Sequence, residues 1–378
     1  MIFNKEEFKN AINAGDSDKL ARVIEDGVES YTEKIQDEMN EAIANGFTDG
    51  TEDIATLNKY NLRKLDAEEE KYFSNAAEVF DDHEVTFPIK TFNRVFEDLR
   101  LKHPLLSKIK FQNTTGVTEW LLRTNDVEAA WWGPLCEETK KKLSNGLKTA
   151  QLTQNKLSVA IFMCRAMLTL SPQWLERLIR EMLYESMAMG IESAIVVGDG
   201  VDKPIGIFKD PASAFDQSTG YKDKKAEAVT ELSSFTLGGL MAKISKGRVG
   251  FGPNGLSMVV NPTDYWTKIF PNLVYRKADG GYVYDALPVP INFVESAFVP
   301  EGKAALGDLD DYFFGVASPI KIEDSIHYQF LERNKVYIAE MLANGRPADD
   351  DSFMVLDISG LTVDTETPAA IKQEKPEK

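Results

Sequence analysis

The chain has 378 residues, 43% of them hydrophobic, and a net charge of −17, which is enough material for two or three domains with a sizeable core. The excess of Asp and Glu argues against a protein that grips nucleic acid through its surface, because phosphate contacts need clustered Lys and Arg. No apolar run approaches the roughly 18 residues of a membrane span, and the N-terminus lacks a signal-peptide layout. We therefore expect a protein that is made and kept in a cytoplasm and has no membrane partner.

The cysteines and histidines are too few and too scattered for a metal centre. Cys136 and Cys164 are far apart, and neither has a second ligand at metal spacing. His83, His103 and His327 are equally isolated. Cys164 follows an apolar run and is predicted to be a buried structural thiol. The sequence predicts no metal site and no cofactor.

Residues 1–84 differ from the rest of the chain. Apolar residues recur at helical spacing on a strongly charged background, and Gly46 and Gly50 follow as helix stops. A second helical stretch is predicted around Asp66–Phe80. These apolar faces are too narrow to form a core. We therefore predict an extended N-terminal helical arm that packs on another surface, either a partner helix or a neighbouring subunit.

A projecting hairpin is predicted after the short strands Ile109–Phe111 and Thr118–Leu122. The segment 123–154 contains the adjacent pair Trp131 and Trp132 and the turn signal Asn145-Gly146, and the chain then returns as a strand over Leu152–Met163. An isolated hairpin is marginal in water, so exposed tryptophans on it would need a partner surface. The alternative is that both tryptophans pack on this chain's own core.

A long amphipathic helix is predicted over residues 171–195. Ser171 and Pro172 form its start, and apolar residues recur at three- and four-residue spacing along one side. The opposite side carries a charged set: Glu176, Arg177, Arg180, Glu181 and Glu185. At 1.5 Å per residue this helix is about 35 Å long, which indicates a central strut.

The remainder predicts a mixed α+β region of short strands and few helices. A polar surface loop is expected at 217–231, and residues 361–378 are expected to form a disordered tail. Helices are predicted at 235–244 and 264–269. The predicted strands are 256–260, 289–293, 303–307, 312–316, 320–324, 328–331, 335–344 and 352–358.

No arrangement of residues typical of catalysis stands out. Gly198-Asp199-Gly200 lacks the spacing of a phosphate-binding loop and follows a helix instead of opening one, so we interpret it as a turn. The acidic residues at 308–311 and 349–351 are interpreted as acidic loops. No G-x-S-x-G, H-E-x-x-H or cysteine–histidine pattern occurs. We predict no catalytic residue, and hence no enzyme.

The order of arm, hairpin and long helix, followed by AIVVGDGVDKPIGIF, resembles the major capsid proteins of tailed bacteriophages, which have the Hong Kong 97-type fold. In that family the spine helix is commonly followed by G-D-G-x-x-x-P-x-G-I, seen here from Gly198 through Pro204, Gly206 and Ile207. The stretch FPIKTFNRVFEDLRLKHPLLSKIKF is similar to the arm-to-body junction in phages of Gram-positive hosts. The resemblance covers roughly Val85–Ile358.

The resemblance implies a fold of class α+β with a division into named parts. Residues 1–84 would be the arm or a scaffold-like segment, and 123–154 the extended loop that lies over a neighbouring subunit. The domain that meets its copies around five-fold and six-fold axes, the axial domain, would be 208–317. The peripheral domain would begin in 85–122, continue through 155–207 with its spine helix at 171–195, and return at 318–360.

Two further features of relatives bear on this chain. Some relatives cut off an N-terminal segment that acts as a built-in scaffold, and residues 1–84 could be such a segment. Some join subunits between a loop lysine and an asparagine, but no partner asparagine or acid can be aligned, so cross-linking is not carried over. The candidates for contact between subunits are Trp131, Trp132, Lys140, Lys141, Lys142 and Lys148.

These observations predict a structural subunit of an icosahedral phage head that assembles with itself into pentamers and hexamers around double-stranded DNA. Expected partners also include portal and scaffolding proteins, and contact with packaged DNA is expected to be weak and non-specific. The protein would be assembled in the host cytoplasm and end in the virion. The alternatives are an encapsulin-like nanocompartment shell and an enzyme of unknown class.

Overall fold

The structure is a computed structural model of this chain. The structure describes residues 7–8, 10–11, 17–44, 57, 59–74, 103–114, 117–123, 147–164, 167–245, 255–276, 281–284, 287–326 and 334–362. The chain divides into two compact units. Unit 1 comprises Met1–Ser107, Asn155–Ser193 and Val316–Ala343, and unit 2 comprises Lys108–Gln154, Ala194–Gly315 and Asn344–Lys378.

Helices of the arm and the spine helix shape the described part of unit 1. The arm contributes α1 (Ser17–Ala44) and α2 (Ala67–Ser74), which begins with the acidic run that favours a helix N-terminus. The spine helix α3 spans Pro172–Val197, within two residues of the predicted range. The Ser171 side chain, just before the helix, does not cap it, since its hydroxyl is buried and hydrogen-bonds to none of the described residues.

Unit 1 also contains an antiparallel strand pair. Strand β4 (Asn155–Cys164) pairs with β12 (Asn334–Pro347) along its whole length, from Asn334 opposite Cys164 to Ala343 opposite Asn155. Alternate residues of both strands are buried on one face, as a half-buried sheet requires. On that side Gly190 of α3 lies so close to β4 that a Cβ there would be 3.2 Å from Leu157 Cδ1.

The four-stranded sheet to which this pair belongs has the order β1-β11-β12-β4. Strand β1 spans Lys110–Asn113, and β11 spans Tyr312–Ser325. The sequence predicted two strands over 312–316 and 320–324, whereas the structure has one continuous strand. The intervening Ala317-Ser318-Pro319 does not end it.

The core of unit 2 lies under a five-stranded sheet of order β5-β13-β10-β6-β9. These strands are Glu227–Ala228, Phe353–Asp357, Lys303–Asp308, Leu256–Val260 and Asn292–Glu295 respectively. Strand β6 is buried at every position and was predicted with the observed bounds. Helix α4 (Ser234–Ser245) contributes Leu237, Leu240 and Ile244 to the same apolar cluster.

A helical run follows β6 in unit 2. It begins with α5 (Pro262–Asp264), where the Asn261 side chain accepts a hydrogen bond from Thr263 N, continues as a π-helix over Tyr265–Ile269, and ends with α6 (Phe270–Leu273). Two small strands, β7 (Tyr275–Arg276) and β8 (Tyr282–Val283), pair next. A short 3₁₀ turn, Met167–Thr169, precedes the spine helix, and another, Leu309–Asp311, joins β10 to β11.

The Gly-Asp-Gly stretch after the spine helix forms the predicted turn. Gly198 is required by close backbone approach, because a Cβ there would lie 2.2 Å from the Pro204 carbonyl oxygen. Gly200 has φ +84°, a conformation that other residues rarely adopt. The Asp199 carboxylate accepts a hydrogen bond from Val201 N at 2.9 Å, which closes the turn locally.

Two further strand pairings involve the predicted hairpin and the predicted closing strand. The hairpin already begins at Val117, because β2 (Val117–Arg123) pairs with β3 (Leu147–Thr153). The closing strand β13 pairs with β10 in unit 2. The predicted strand 328–331 and the tail beyond Thr362 lie outside the described residues.

Candidate assembly surfaces

Of the residues predicted from sequence to contact other subunits, only Lys148 lies among the described residues. Trp131, Trp132 and the lysines 140–142 lie outside the described residues. Lys148 lies in β3, where its backbone is opposite Leu122. The structure therefore neither brings these candidates together nor separates them, and they stay predictions.

Unit 2 exposes aromatic side chains that sequence reasoning did not single out. Phe235 is 88% exposed, Tyr284 63%, Tyr282 59% and Trp266 57%. We call these four residues the exposed aromatic set. Single exposed apolar residues are common on protein surfaces, but side chains of this size dominate binding energy when a partner covers them.

Phe235 lies on a narrow apolar strip of its helix, which exposed polar residues flank. On α4 the exposed positions Phe235, Gly238, Gly239 and Ala242 follow one another at helical spacing, opposite the buried Leu237 and Leu240. A Cβ at Gly238 or Gly239 would meet no atom within 4 Å, so no close packing inside the described chain requires glycine there. Glycine inside a helix destabilises it by about 1 kcal/mol relative to alanine.

Trp266 lies on the π-helical turn and belongs to a group of aromatic rings. Its ring centroid is 5.2 Å from that of Tyr265 and 5.0 Å from that of Phe270. Tyr265 in turn lies 5.6 Å from Phe293. These ring contacts hold one edge of the indole against the fold while more than half of the side chain faces solvent.

In unit 1 the arm covers the charged side of the spine helix. Glu176 and Arg180 are each 0% exposed and Arg177 is 7% exposed, although the sequence placed them on the side opposite the apolar stripe. Arg177 Nη1 donates to Glu38 of α1 at 2.8 Å. We call this face of α3 the arm-binding surface; it consists of Trp174, Glu176, Arg177, Arg180 and Glu181.

Glu181 is the point where two parts of the arm meet the spine helix. Its carboxylate accepts hydrogen bonds from the Tyr31 hydroxyl of α1 and from the Asn61 side-chain amide. Arg177 Nε lies 3.4 Å from the same carboxylate, one helical turn away. Burial raises the pKa of Glu181 to about 7.

Arg180 and Glu176 form a fully buried ion pair beneath the arm. Arg180 Nε donates to Glu176 Oε1 at 3.1 Å, and Arg180 Nη2 donates to the Asn61 carbonyl at 3.2 Å. Tyr60 packs against Trp174 with ring centroids 5.8 Å apart, and the Arg177 guanidinium lies 5.6 Å from the Trp174 ring. The contact between arm and spine thus combines charge, hydrogen bonding and aromatic packing.

Helix α2 attaches the arm at a second place. Tyr72 and Phe73 are buried, and Lys335 of β12 lies 5.1 Å from the Tyr72 ring while pairing with Asp324 of β11 at 2.8 Å. Burial strongly raises the pKa of Tyr72, which stays a neutral phenol at physiological pH. The same lysine lies 5.3 Å from the Tyr337 ring.

The described residues contain no group of three or more metal-ligating side chains, and none of their helices is long and apolar enough to cross a membrane. His103 Nε2 instead pairs with the buried Glu192 at 2.7 Å inside unit 1. Cys164, predicted to be buried, is only partly buried.

The Phage capsid family matches residues 84–358 of this chain. The capsid of a native GTA particle matches with a TM-score of 0.50 and 14% identity, over 68% of this chain and 89% of that chain. A chain from the procapsid of satellite phage P4 matches with a TM-score of 0.50 and 12% identity, over 78% of this chain and 98% of that one. No curated protein matches this chain.

Proposed function

This chain belongs to the phage capsid family, and within that family we propose a specific division of labour among its parts. Its fold is the Hong Kong 97-type capsid fold, and its function is that of a structural shell subunit that assembles with copies of itself in a virion. Membership of a structural family agrees with the expectation of a non-enzymatic role. It also favours the phage head over the nanocompartment alternative.

The proposed arrangement assigns each region a role in the shell. Residues 208–317 act as the axial domain, which meets its copies around five-fold and six-fold axes. The hairpin 123–154 overlaps a neighbouring subunit, with Trp131, Trp132 and the lysines at 140–142 and 148 in that contact. Residues 1–84 act as a built-in scaffold-like arm, and the peripheral parts are 85–122, 155–207 and 318–360.

The observation that carries this proposal is the exposed aromatic set. All four residues, Phe235, Trp266, Tyr282 and Tyr284, fall inside the proposed axial segment 208–317. Covering such side chains stabilises association, at about 25 cal/mol for each Å² of apolar area removed from water. A segment whose role is to meet copies of itself has a reason to expose them.

The finer partners follow from the same proposal. The shell encloses double-stranded DNA through weak and non-specific contacts, and it assembles in the host cytoplasm. A portal protein and a scaffolding protein are the remaining proposed partners. The net charge of −17 supports weak contact with DNA, because phosphate binding needs clustered positive charge.

The proposal is tested on the chain expressed alone. Negative-stain electron microscopy and sedimentation should show closed shells or ring-shaped pentamers and hexamers. Mass spectrometry of those particles then reports whether residues 1–84 are retained. A folded monomer that persists over a wide range of protein and salt concentrations would contradict self-assembly through the axial segment.

A further inference from the structure

A small cavity opens in unit 2 where α4, β13 and the chain that leads into β5 meet. Its volume is about 230 Å³, which is below the roughly 300–1,000 Å³ of sites for drug-sized ligands. Its lining is partly apolar, through Ile244, Met354 and Val355, and partly charged, through three lysines and several acidic residues. The lysines are Lys224, Lys225 and Lys243. A cavity of this size and character can take a small organic anion.

Lys224 is the most enclosed of the three lysines. Its Nζ donates hydrogen bonds to two backbone carbonyl oxygens, that of Asp350 at 2.8 Å and that of Phe353 at 2.7 Å. Its backbone N donates to the Phe208 carbonyl at 2.8 Å. The other two lysines are exposed, whereas Lys224 is partly buried. Both ends of the Lys224 side chain are therefore held in place at the wall of the cavity.

The contacts of Nζ match a neutral amine better than an ammonium ion. An ammonium ion has three hydrogens to donate, whereas a neutral amine has two hydrogens and a lone pair. Two carbonyls accept from Nζ, and no other described residue does so. Nζ also forms no ion pair with a described residue, whereas Lys268 pairs with Asp264 at 2.6 Å. A neutral Lys224 would satisfy both hydrogens and keep its lone pair free.

The electrostatics of the cavity favour the same state. Burial lowers the pKa of Lys224, and the nearby carboxylates of Asp351, Asp210 and Asp350 oppose this shift without cancelling it. A lysine with a lowered pKa is neutral more often at physiological pH than an exposed lysine. Because the neutral amine is the nucleophilic form, Lys224 should react faster with electrophiles than its neighbours in sequence.

The rest of the cavity suits a small acyl donor with an anionic leaving group. The apolar part of the lining, which includes Ile244 and Met354, can receive a short acyl chain. Lys225 and Lys243 are exposed cations on the same cavity, although Lys243 is also paired with Glu227. Positive side chains of this kind attract a phosphate group towards the nucleophile.

We propose that Lys224 is an acylation site for small acyl phosphates. The lone pair of Nζ attacks the carbonyl carbon of the donor, and a C–N bond forms while the C–O bond to phosphate breaks. The leaving phosphate takes the proton that the nitrogen releases. The product amide has a single N–H, so one of the carbonyls of Asp350 and Phe353 loses its partner and the chain there is held less firmly. This reaction belongs to the folded subunit and does not depend on assembly.

The test treats the folded, full-length protein with a limiting amount of acetyl phosphate at about pH 7.5. Digestion with a protease that does not cut at lysine, followed by mass spectrometry, gives the acetylation rate of each lysine. Lys224 should react at least about fivefold faster than the exposed Lys222 and Lys225. In urea, where the cavity is lost, the three rates should agree within about twofold. Equal rates in the folded protein, or a preference that persists in urea, would overturn the proposal.

A second comparison tests the class of donor. Lys225→Gln should lower the rate at Lys224 about threefold with acetyl phosphate, because a cation that attracts the phosphate is lost. The same variant should react at the unaltered rate with the uncharged reagent N-hydroxysuccinimidyl acetate. Lys222→Gln is the matched control, since Lys222 belongs to the same lysine-rich run but does not line the cavity, and it should change neither rate. If Lys225→Gln changed both rates or neither, an anionic donor would be the wrong class.

Discussion

Two regions depart in opposite directions from the usual distribution of charged and apolar residues between interior and surface. They are the arm-binding surface of unit 1 and the exposed aromatic set of unit 2. On the arm-binding surface, charged side chains are inside: Glu176 and Arg180 are 0% exposed. In unit 2, large aromatic side chains are outside, with Phe235 at 88%. Charged residues are seldom fully buried unless they are paired, and aromatic residues are usually largely buried.

The difference shows what completes each region. The charges of unit 1 are paired by groups of the same chain, since the arm supplies Glu38, Tyr31 and Asn61. The aromatic set of unit 2 is not covered by any described residue of the same chain. Unit 1 is thus completed within the subunit by its own arm, whereas we propose that unit 2 is completed by neighbouring copies in the shell.

The largest expected effect comes from removing one partner of the buried ion pair. Arg180→Ala leaves Glu176 buried without its counter-charge, which should lower the free energy of unfolding by about 3–5 kcal/mol. Urea denaturation of unassembled subunits measures this. Lys156→Ala, which breaks the exposed pair with Glu340, is the control and should leave the free energy of unfolding nearly unchanged. Similar losses of unfolding free energy in both variants would show that the arm does not exclude water from the Arg180–Glu176 pair.

A charge placed in the exposed aromatic set should act on assembly and leave folding unchanged. Phe235→Asp should weaken association by about 2 kcal/mol or more per contact, roughly 30-fold, because a carboxylate would be buried against a neighbour. Sedimentation gives the assembled fraction and circular dichroism the subunit melting temperature. Gln217→Asp, on an exposed loop, introduces the same charge and should assemble normally. Normal assembly of the Phe235 variant would exclude this helix face from the interface.

Glu181 predicts a pH dependence for the arm contact. Its pKa is raised from 4.5 to about 7 by burial, so the folded protein holds a proton that the unfolded chain releases between these values. The free energy of unfolding should therefore rise as pH falls from 7 towards 4.5, by about 1–3 kcal/mol from this group. Glu181→Gln cannot titrate, and the difference between the two proteins isolates the contribution. Parallel pH profiles would assign the dependence to other groups.

The smallest expected effect comes from replacing a glycine on the exposed face of α4, a change that tests subunit stability and assembly separately. Gly238→Ala or Gly239→Ala should stabilise the isolated subunit by about 0.5–1 kcal/mol, because alanine favours helix and open space surrounds each Cβ position. If a neighbour approaches the helix closely there, the same change should reduce the assembled fraction. Thermal melting and sedimentation of the same samples measure both. A stabilised variant that assembles as before would mean that no neighbour uses the space above these glycines.

Some elements could be predicted from sequence because their signals are local. The spine helix was predicted within two residues, since its apolar residues recur at helical spacing and Pro172 marks its start. Strand β6 was predicted with its observed bounds, because a short β-branched and apolar run ends at Asn261-Pro262. The resemblance that rests on the Gly198–Ile207 motif was confirmed by the family match over 84–358.

The assembly surfaces were harder to predict, because a helix pattern does not show what lies against it. Phe235 and the nearby Gly238 and Gly239 carry a detectable signal, an apolar face opposite the buried Leu237 and Leu240, but helical periodicity by itself predicts only a short helix there. For the arm-binding surface the sequence signal lies in the arm itself. Its narrow apolar stripe is too small to form a core and must pack on another surface.

The sequence by itself determined the acidic arm, the central helix, the turn after it and the membership of a shell-forming family, because periodicity, charge and short motifs act over neighbouring residues. Only the tertiary structure decided that β13 joins the sheet of unit 2 and that the charged side of the spine helix lies under the arm. Those outcomes depend on which distant segments meet. Pairing between distant residues is set by the packing of the whole chain and not by the local preference of either partner.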